Sequence, residues 1–139
     1  MSATLHSLRE RGGETEKLTI NLGFVDLGRI DLLVQENFYS NRSDFIRTAI
    51  RRQLDVHSDV VAQSLVRHTL ELGLRDYTVA ELERHRSAGE QLHIKVLGLA
   101  RIAPDVTPEL AREVIGSITV LGALHASAQV KTALADRVR

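Results

Sequence analysis

The residues best suited to chemistry in this sequence lie in two short stretches of its N-terminal half. In the first, KLTINLG at residues 17–23, the polar side chains of Lys17, Thr19 and Asn21 alternate with apolar ones. The alternation places an amine, a hydroxyl and a carboxamide on one face of an extended chain, where they offer both hydrogen-bond donors and acceptors.

The second stretch concentrates positive charge in a chain whose charges otherwise cancel, with 18 basic and 18 acidic residues. Residues 42–52 contain a single acid, Asp44, and four arginines: Arg42, Arg47, Arg51 and Arg52. Overall neutrality gives the chain no general attraction to nucleic acid or to membranes. A local excess of arginine can nevertheless bind phosphate groups.

The alternation in residues 17–23 predicts a β-strand whose buried face carries Leu18, Ile20 and Leu22. A strand must pair in order to satisfy its backbone donors and acceptors. Roughly seventy following residues have helical patterns and offer no partner. We therefore predict that the strand pairs antiparallel with the same strand of a second copy, since two-fold dimers are the commonest oligomers.

Two short amphipathic helices are predicted after the strand. The first begins with Asp26 as its N-cap and ends near Asn37, a residue type that tolerates the left-handed conformation. The second is capped by Ser40 or Asn41, with Asp44 at capping-box spacing. Strand and helices together supply ten apolar residues to a predicted dimer core: Leu18, Ile20, Leu22, Ile30, Leu33, Val34, Phe45, Ile46, Ala49 and Ile50.

This order of elements, with KLTINL as the strand and NRSDFIRTAI opening the second helix, resembles the ribbon-helix-helix DNA-binding proteins of the Arc/MetJ/CopG type. The resemblance covers residues 16–57. The turn before the second helix often carries glycine in that family, whereas this chain has Asn37. The resemblance implies an intertwined homodimer that represses transcription by inserting its ribbon into the major groove of double-stranded operator DNA.

The outward residues of such a ribbon suit the reading of bases. Asn21 can form two hydrogen bonds with adenine, and Lys17 can donate to guanine or to phosphate. Thr19 can donate, accept or contact a thymine methyl group. These three residues are the predicted base-reading positions.

The start of the second helix suits phosphate. Its free N–H groups and the positive end of its dipole attract anions. The predicted phosphate-binding residues are Ser40, Asn41, Arg42 and Ser43. The other three arginines, at positions 47, 51 and 52, either contact the duplex or form a solvated face.

The rest of the chain predicts an α+β fold that is mostly helical. Residues 1–15 are expected to be a flexible arm, and 58–91 a helical connector with helices at about 59–72 and from Thr78. Residues 92–139 are expected to be a strand–helix–strand–helix module for oligomerisation or effector binding. Six positions recur there after 24 residues, namely Ile94, Val96, Leu97, Gly98, Val106 and Leu110. Two repeat units are too few for a core of their own, so we expect them to pack on the connector or on another subunit.

Metal binding and catalysis are not favoured. There is no cysteine, and the six histidines lack the spacing of a ligand set, although His85, His93 and His125 can still converge. No phosphate-binding glycine loop, HExxH or GxSxG motif occurs. We expect no enzyme activity, no metal and no cofactor.

Three hypotheses remain for the whole chain. It is a transcriptional repressor tuned by an effector or by assembly of dimers, an antitoxin whose C-terminal part binds a toxin, or a plasmid-partition protein. The absence of an apolar stretch long enough for a signal peptide or a bilayer span predicts a cytoplasmic protein that does not bind membranes.

Overall fold

The computed structural model of the chain describes residues 14–139, and most of the predicted N-terminal arm lies outside this range. The chain divides into two compact units between Val60 and Val61. The described residues form six α-helices and a three-stranded parallel sheet, which confirms an α+β fold.

The N-terminal unit contains helices α1 (Phe24–Gln35) and α2 (Arg42–Val56). The prediction that Asp26 caps α1 is wrong, because the N-cap position is held by Gly23, three residues earlier. Asp26 instead lies in the first turn, where the helix dipole also favours an acid.

The predicted end of α1 is confirmed. Asn37 has φ +65°, and the N–H groups of Asn37 and Phe38 donate to the carbonyls of Val34 and Leu33. This pair of bonds is a Schellman motif, with asparagine in the left-handed position that glycine usually occupies.

The second unit is built around the parallel sheet. Helix α3 (Ser58–His68) contains the boundary between the two units. The elements after it are β1 (Glu71–Tyr77), α4 (Val79–Ala88), β2 (Leu92–Ile102), α5 (Pro108–Val114), β3 (Ile115–His125) and α6 (Ala128–Ala133), followed by a 3-10 turn at Ala135–Arg137. The strand order is β1-β2-β3. The three helices that follow a strand each begin at a capping hydroxyl, from Thr78, Thr107 and Ser127 respectively.

The connector is not wholly helical. The predicted helix at 59–72 ends at His68, and residues 71–77, expected to continue or follow a helix, form β1. Thr69 has φ +52°, which stops the helix, and the N–H of Leu70 donates back to Leu65. Pairing with β2 then supplies non-local backbone hydrogen bonds that the helical spacing of the apolar residues did not reveal.

The 24-residue repeat is reproduced by the sheet. β2 and β3 pair in parallel with Ile94 against Ile118, Val96 against Val120, Leu97 against Leu121 and Gly98 against Gly122. The correspondence does not extend to the helices. Val106 precedes the cap of α5, whereas Val130 lies within α6.

The core of this unit lies on one face of the sheet. Alternate residues of the strands pack against α4, α5 and α6, as in the fully buried set Leu82, Ile94, Ile115, Ile118, Leu134, Val96, Val114 and Val130. The repeats were expected to pack on the helices of the connector. This is confirmed for the helix predicted to begin at Thr78, which is α4, because its residue Leu82 belongs to the core. No buried residue comes from α3.

A row of glycines crosses the sheet. Gly73, Gly98 and Gly122 are neighbours in register, with φ of +119°, +138° and +123°. A Cβ on Gly98 would overlap the carbonyl oxygen of Gly73, and one on Gly122 would overlap that of Gly98. Only glycine is compatible with this backbone at positions 98 and 122.

Candidate nucleic-acid interface

Residues 15–23 form no helix and pair with no strand in the described chain. No other described residue forms a backbone hydrogen bond with residues 17–22. Lys17, Thr19 and Asn21 are all exposed. The apolar residues between them are exposed as well, and Leu18 keeps 80% of its surface accessible. A single chain therefore leaves the backbone of this segment unpaired and its apolar side chains exposed.

An apolar groove lies where the segment meets the two helices. It has a volume of about 410 Å³, and Ile30 at its base is buried. Eight of the ten predicted dimer-core residues line it: Ile20, Leu22, Ile30, Leu33, Phe45, Ile46, Ala49 and Ile50. The other two, Leu18 and Val34, are not among its lining residues. The groove is an apolar concavity that a single chain leaves open.

The N-terminus of α2 is held by reciprocal capping. The side chain of Asn41 accepts a hydrogen bond of 2.8 Å from the N–H of Asp44, and Asp44 Oδ2 accepts one of 2.9 Å from the N–H of Ser40. Asn41 is thus confirmed as the cap, with Asp44 in the role of a capping-box acid. In the described chain the N–H groups of Arg42 and Ser43 keep no such partner, so two donors of the predicted phosphate site remain open.

The guanidinium of Arg42 is engaged elsewhere. Its Nε and Nη2 donate to Oδ1 and Oδ2 of Asp31 in α1, both at 2.8 Å. This side-chain hydrogen bonding lowers the pKa of the Asp31 carboxyl. Asp31 is the residue that the sequence reasoning missed, since eleven positions separate the partners and no local pattern connects them. An edge-to-face contact between Tyr39 and Phe45 also links the turn to α2.

The other three arginines of α2, at positions 47, 51 and 52, are exposed. None forms an ion pair with another residue within 14–139. They leave three exposed guanidinium groups on α2.

The histidines do not form a metal centre in the part of the chain that the structure describes. No three His, Asp or Glu side chains of residues 14–139 come together as a metal-binding group. His93 instead shares a hydrogen bond of 2.7 Å with Ser117 Oγ. No helix in this range is both long and apolar enough to cross a bilayer.

A model of the Ribbon-Helix-Helix transcriptional regulator family matches residues 13–131. The chain belongs to this family. No match was found among curated proteins or among solved structures.

As a ribbon-helix-helix protein, the chain is a DNA-binding transcriptional regulator of a family whose members typically act as dimers and are not enzymes. The resemblance read from the sequence stopped at residue 57. The family match continues through the parallel sheet. The family pattern therefore includes most of the second unit as well as the first.

Proposed function

We propose that two copies of this chain pair residues 17–23 as an antiparallel ribbon and insert it into the major groove of an operator, repressing transcription. The observation that carries the proposal is the unpaired segment beside an apolar groove. Pairing two chains gives the backbone donors and acceptors of this segment hydrogen-bond partners. It also covers Ile20, Leu22 and their neighbours on α1 and α2. The same pairing doubles the set of outward polar residues.

The charges near the ribbon fit this function. A two-stranded ribbon fits the major groove of B-DNA, where Lys17, Thr19 and Asn21 meet base edges. The open N–H groups at the start of α2 and the exposed arginines of that helix supply phosphate contacts. Such contacts fix the position of a protein on the duplex, while the base contacts determine which sequence it prefers.

The first experiment is selection of the preferred duplex from a random pool, followed by fluorescence anisotropy with single variants. Asn21→Ala is expected to relax the preference at defined base pairs, at a cost of about 1–3 kcal/mol for each base pair that the carboxamide no longer reads. Gln129→Ala, an exposed amide on α6, is the matched control and leaves affinity unchanged. Parental affinity and preference in Asn21→Ala would show that the ribbon does not read bases.

The second experiment concerns assembly. Ile46 lines the groove, so Ile46→Asp places a charge in the proposed dimer core. Sedimentation equilibrium is expected to give a dimeric or larger parent and a monomeric variant. A monomeric parent at the concentrations used for DNA binding would contradict the proposal.

The antitoxin alternative is less favoured. Tails that grip a toxin are often unstructured until bound. Here residues 71–134 supply a core that is buried without any partner. Limited proteolysis of the purified chain is expected to leave a stable C-terminal fragment, and rapid degradation of that part would revive the alternative.

A further inference from the structure

The face of the sheet opposite its core is apolar, and its outer leucines are exposed. Two rows of residues in register form it, and we call them the leucine face: Leu72, Leu97 and Leu121 in one row, Leu74, Leu99 and Ala123 in the next. Leu72 keeps 69% of its surface accessible and Leu121 57%. The middle residue Leu99 is buried, with 9% of its surface accessible.

Parallel sheets are normally covered on both faces, because each face is apolar. In this unit α4, α5 and α6 cover one face, and the strand residues they contact are the alternate ones such as Ile94, Val96 and Ile118. On the opposite side of the strands, Leu72, Leu74 and Leu121 of the leucine face are exposed. A contiguous apolar patch that remains exposed marks an interaction surface.

We propose that the leucine face packs against the leucine face of a second copy of this chain. This proposal rests on the proposed ribbon dimer. Two chains held together by their N-terminal units carry two leucine faces at high effective concentration. The inference is separate from DNA binding, since none of its residues belongs to the ribbon or to α2.

The chemistry of the face is self-complementary. A two-fold axis parallel to the strands lays β1 of one copy over β3 of the other. Leu72 then faces Leu121 of the partner subunit, and the larger Leu74 faces the smaller Ala123 of the partner subunit. In the next row Arg101 donates to Asp76 of its own chain at 2.8 Å, so the apolar part of the face ends at an ion pair within each copy.

The size of the face also favours a tethered copy. Three strands span only about 14 Å, which is narrow for two independent molecules. Stable interfaces between free proteins bury roughly 800 Å² on each partner. A second copy already joined through the ribbon does not face that requirement, because its association is intramolecular.

The absence of cysteine in the sequence makes a direct test simple. Leu97→Cys places one thiol at the centre of the leucine face, close to the axis. Arg84→Cys, on the exposed side of α4, is the control on the other side of the unit. Mild oxidation of the intact, full-length chain is expected to give a covalent dimer with Leu97→Cys and at most traces with Arg84→Cys.

A labelling experiment does not depend on a substitution at the centre. Leu72→Cys lies on the edge strand, at a position exposed in the single chain, where the change is tolerated. Its reaction with a maleimide is expected to be at least tenfold slower than that of Arg84→Cys and to become as fast when Leu97→Asp is added. Equal rates, together with no covalent dimer from Leu97→Cys, would overturn the proposal and leave the face open for a different protein.

The outcomes separate this inference from the DNA proposal. A chain that reads its operator through Asn21 but reacts freely at Leu72→Cys contradicts the inference alone. If instead the leucine face is protected and Asn21→Ala binds DNA like the parent, the result contradicts only the proposal that the ribbon reads bases.

Discussion

Arg42 and Asp31 join the two helices of the N-terminal unit through two parallel hydrogen bonds of 2.8 Å. The pair is exposed, so it contributes little to stability. Its importance is electrostatic, because it places an acid beside the guanidinium that was expected to bind phosphate.

We expect this pairing to give Asp31 an influence on DNA affinity. Asp31→Asn removes the competing carboxylate, and we expect tighter binding to all duplexes, with a salt dependence steeper by about one counterion per subunit. Anisotropy titrations between about 50 and 200 mM salt measure this slope.

The matched variant in this pair is Arg42→Ala. Arg42→Ala is expected to weaken DNA binding less in the parent than in the Asp31→Asn variant. In the parent, Asp31 holds the Arg42 guanidinium, whereas in Asp31→Asn the guanidinium is released to contact phosphate. If Asp31→Asn leaves the slope unchanged while Arg42→Ala lowers it, Arg42 contacts phosphate with Asp31 still bound.

Two substitutions of Asn41, the N-cap of α2, distinguish its role in stability from its proposed role in DNA binding. Asn41→Ala removes the bond to the N–H of Asp44 and is expected to cost about 1 kcal/mol of unfolding free energy. Asn41→Asp keeps the cap but adds a negative charge beside the proposed phosphate. We expect it to retain stability in urea unfolding at fixed protein concentration and to weaken DNA binding. Equal DNA affinity of Asn41→Asp and the parent would remove Asn41 from the interface.

Alanine substitutions in the glycine row are expected to differ in how much stability they cost. Gly73→Ala meets no neighbouring atom within 4 Å, so its cost comes only from the positive φ, at about 1–3 kcal/mol. Gly98→Ala has the same strain and also overlaps the backbone of β1, so it is expected to destabilise clearly more. Urea unfolding monitored by circular dichroism measures both. Similar losses of stability in the two variants would contradict the backbone clash.

Tyr77 gives the chain a dependence on alkaline pH. Burial raises the pKa of this phenol to about 12 from its ordinary value of 10.0, while the Arg75 guanidinium 4.6 Å from the ring centroid works in the opposite direction. Below pH 10 the phenol is protonated in both folded and unfolded chains, so its contribution to stability is fully present. As the pH rises from 10 towards 12, the unfolded chain loses this proton first, and stability falls.

The measurement is urea unfolding of a Tyr39→Phe variant, in which Tyr77 is the only tyrosine, at several pH values above 9. Tyr77→Phe is expected to flatten the part of the decline that belongs to this phenol. Absorbance of the phenolate in the folded Tyr39→Phe chain follows the titration directly. A folded-state midpoint near pH 10 would contradict the shift.

Much of the fold follows from local signals. Asn37, Asn41, Thr78, Thr107 and Ser127 mark helix ends through their own backbone and side-chain bonds, and such bonds involve only neighbours in sequence. The start of α1 was misplaced because Asp26 suits both an N-cap and a first turn.

The strand β1 was missed because its evidence is non-local. Leu72-Gly73-Leu74 repeats Leu97-Gly98-Leu99 after 25 residues, and this third copy was available in the sequence. Its apolar residues also continue the helical spacing of α3. Backbone pairing with β2 makes this segment a strand and not a continuation of α3.

The sequence by itself determined where most helices end and which residues of β2 and β3 lie side by side, and it predicts that residues 17–23 pair with a second strand. These features depend on alternation, caps and a repeat, all of which are contained in the order of the residues. Only the tertiary structure decided that Arg42 binds Asp31, that residues 71–77 join the sheet, and that Leu72 and Leu121 stay exposed on it. Each of these depends on distances between residues far apart in the chain, which folding sets and periodicity does not encode.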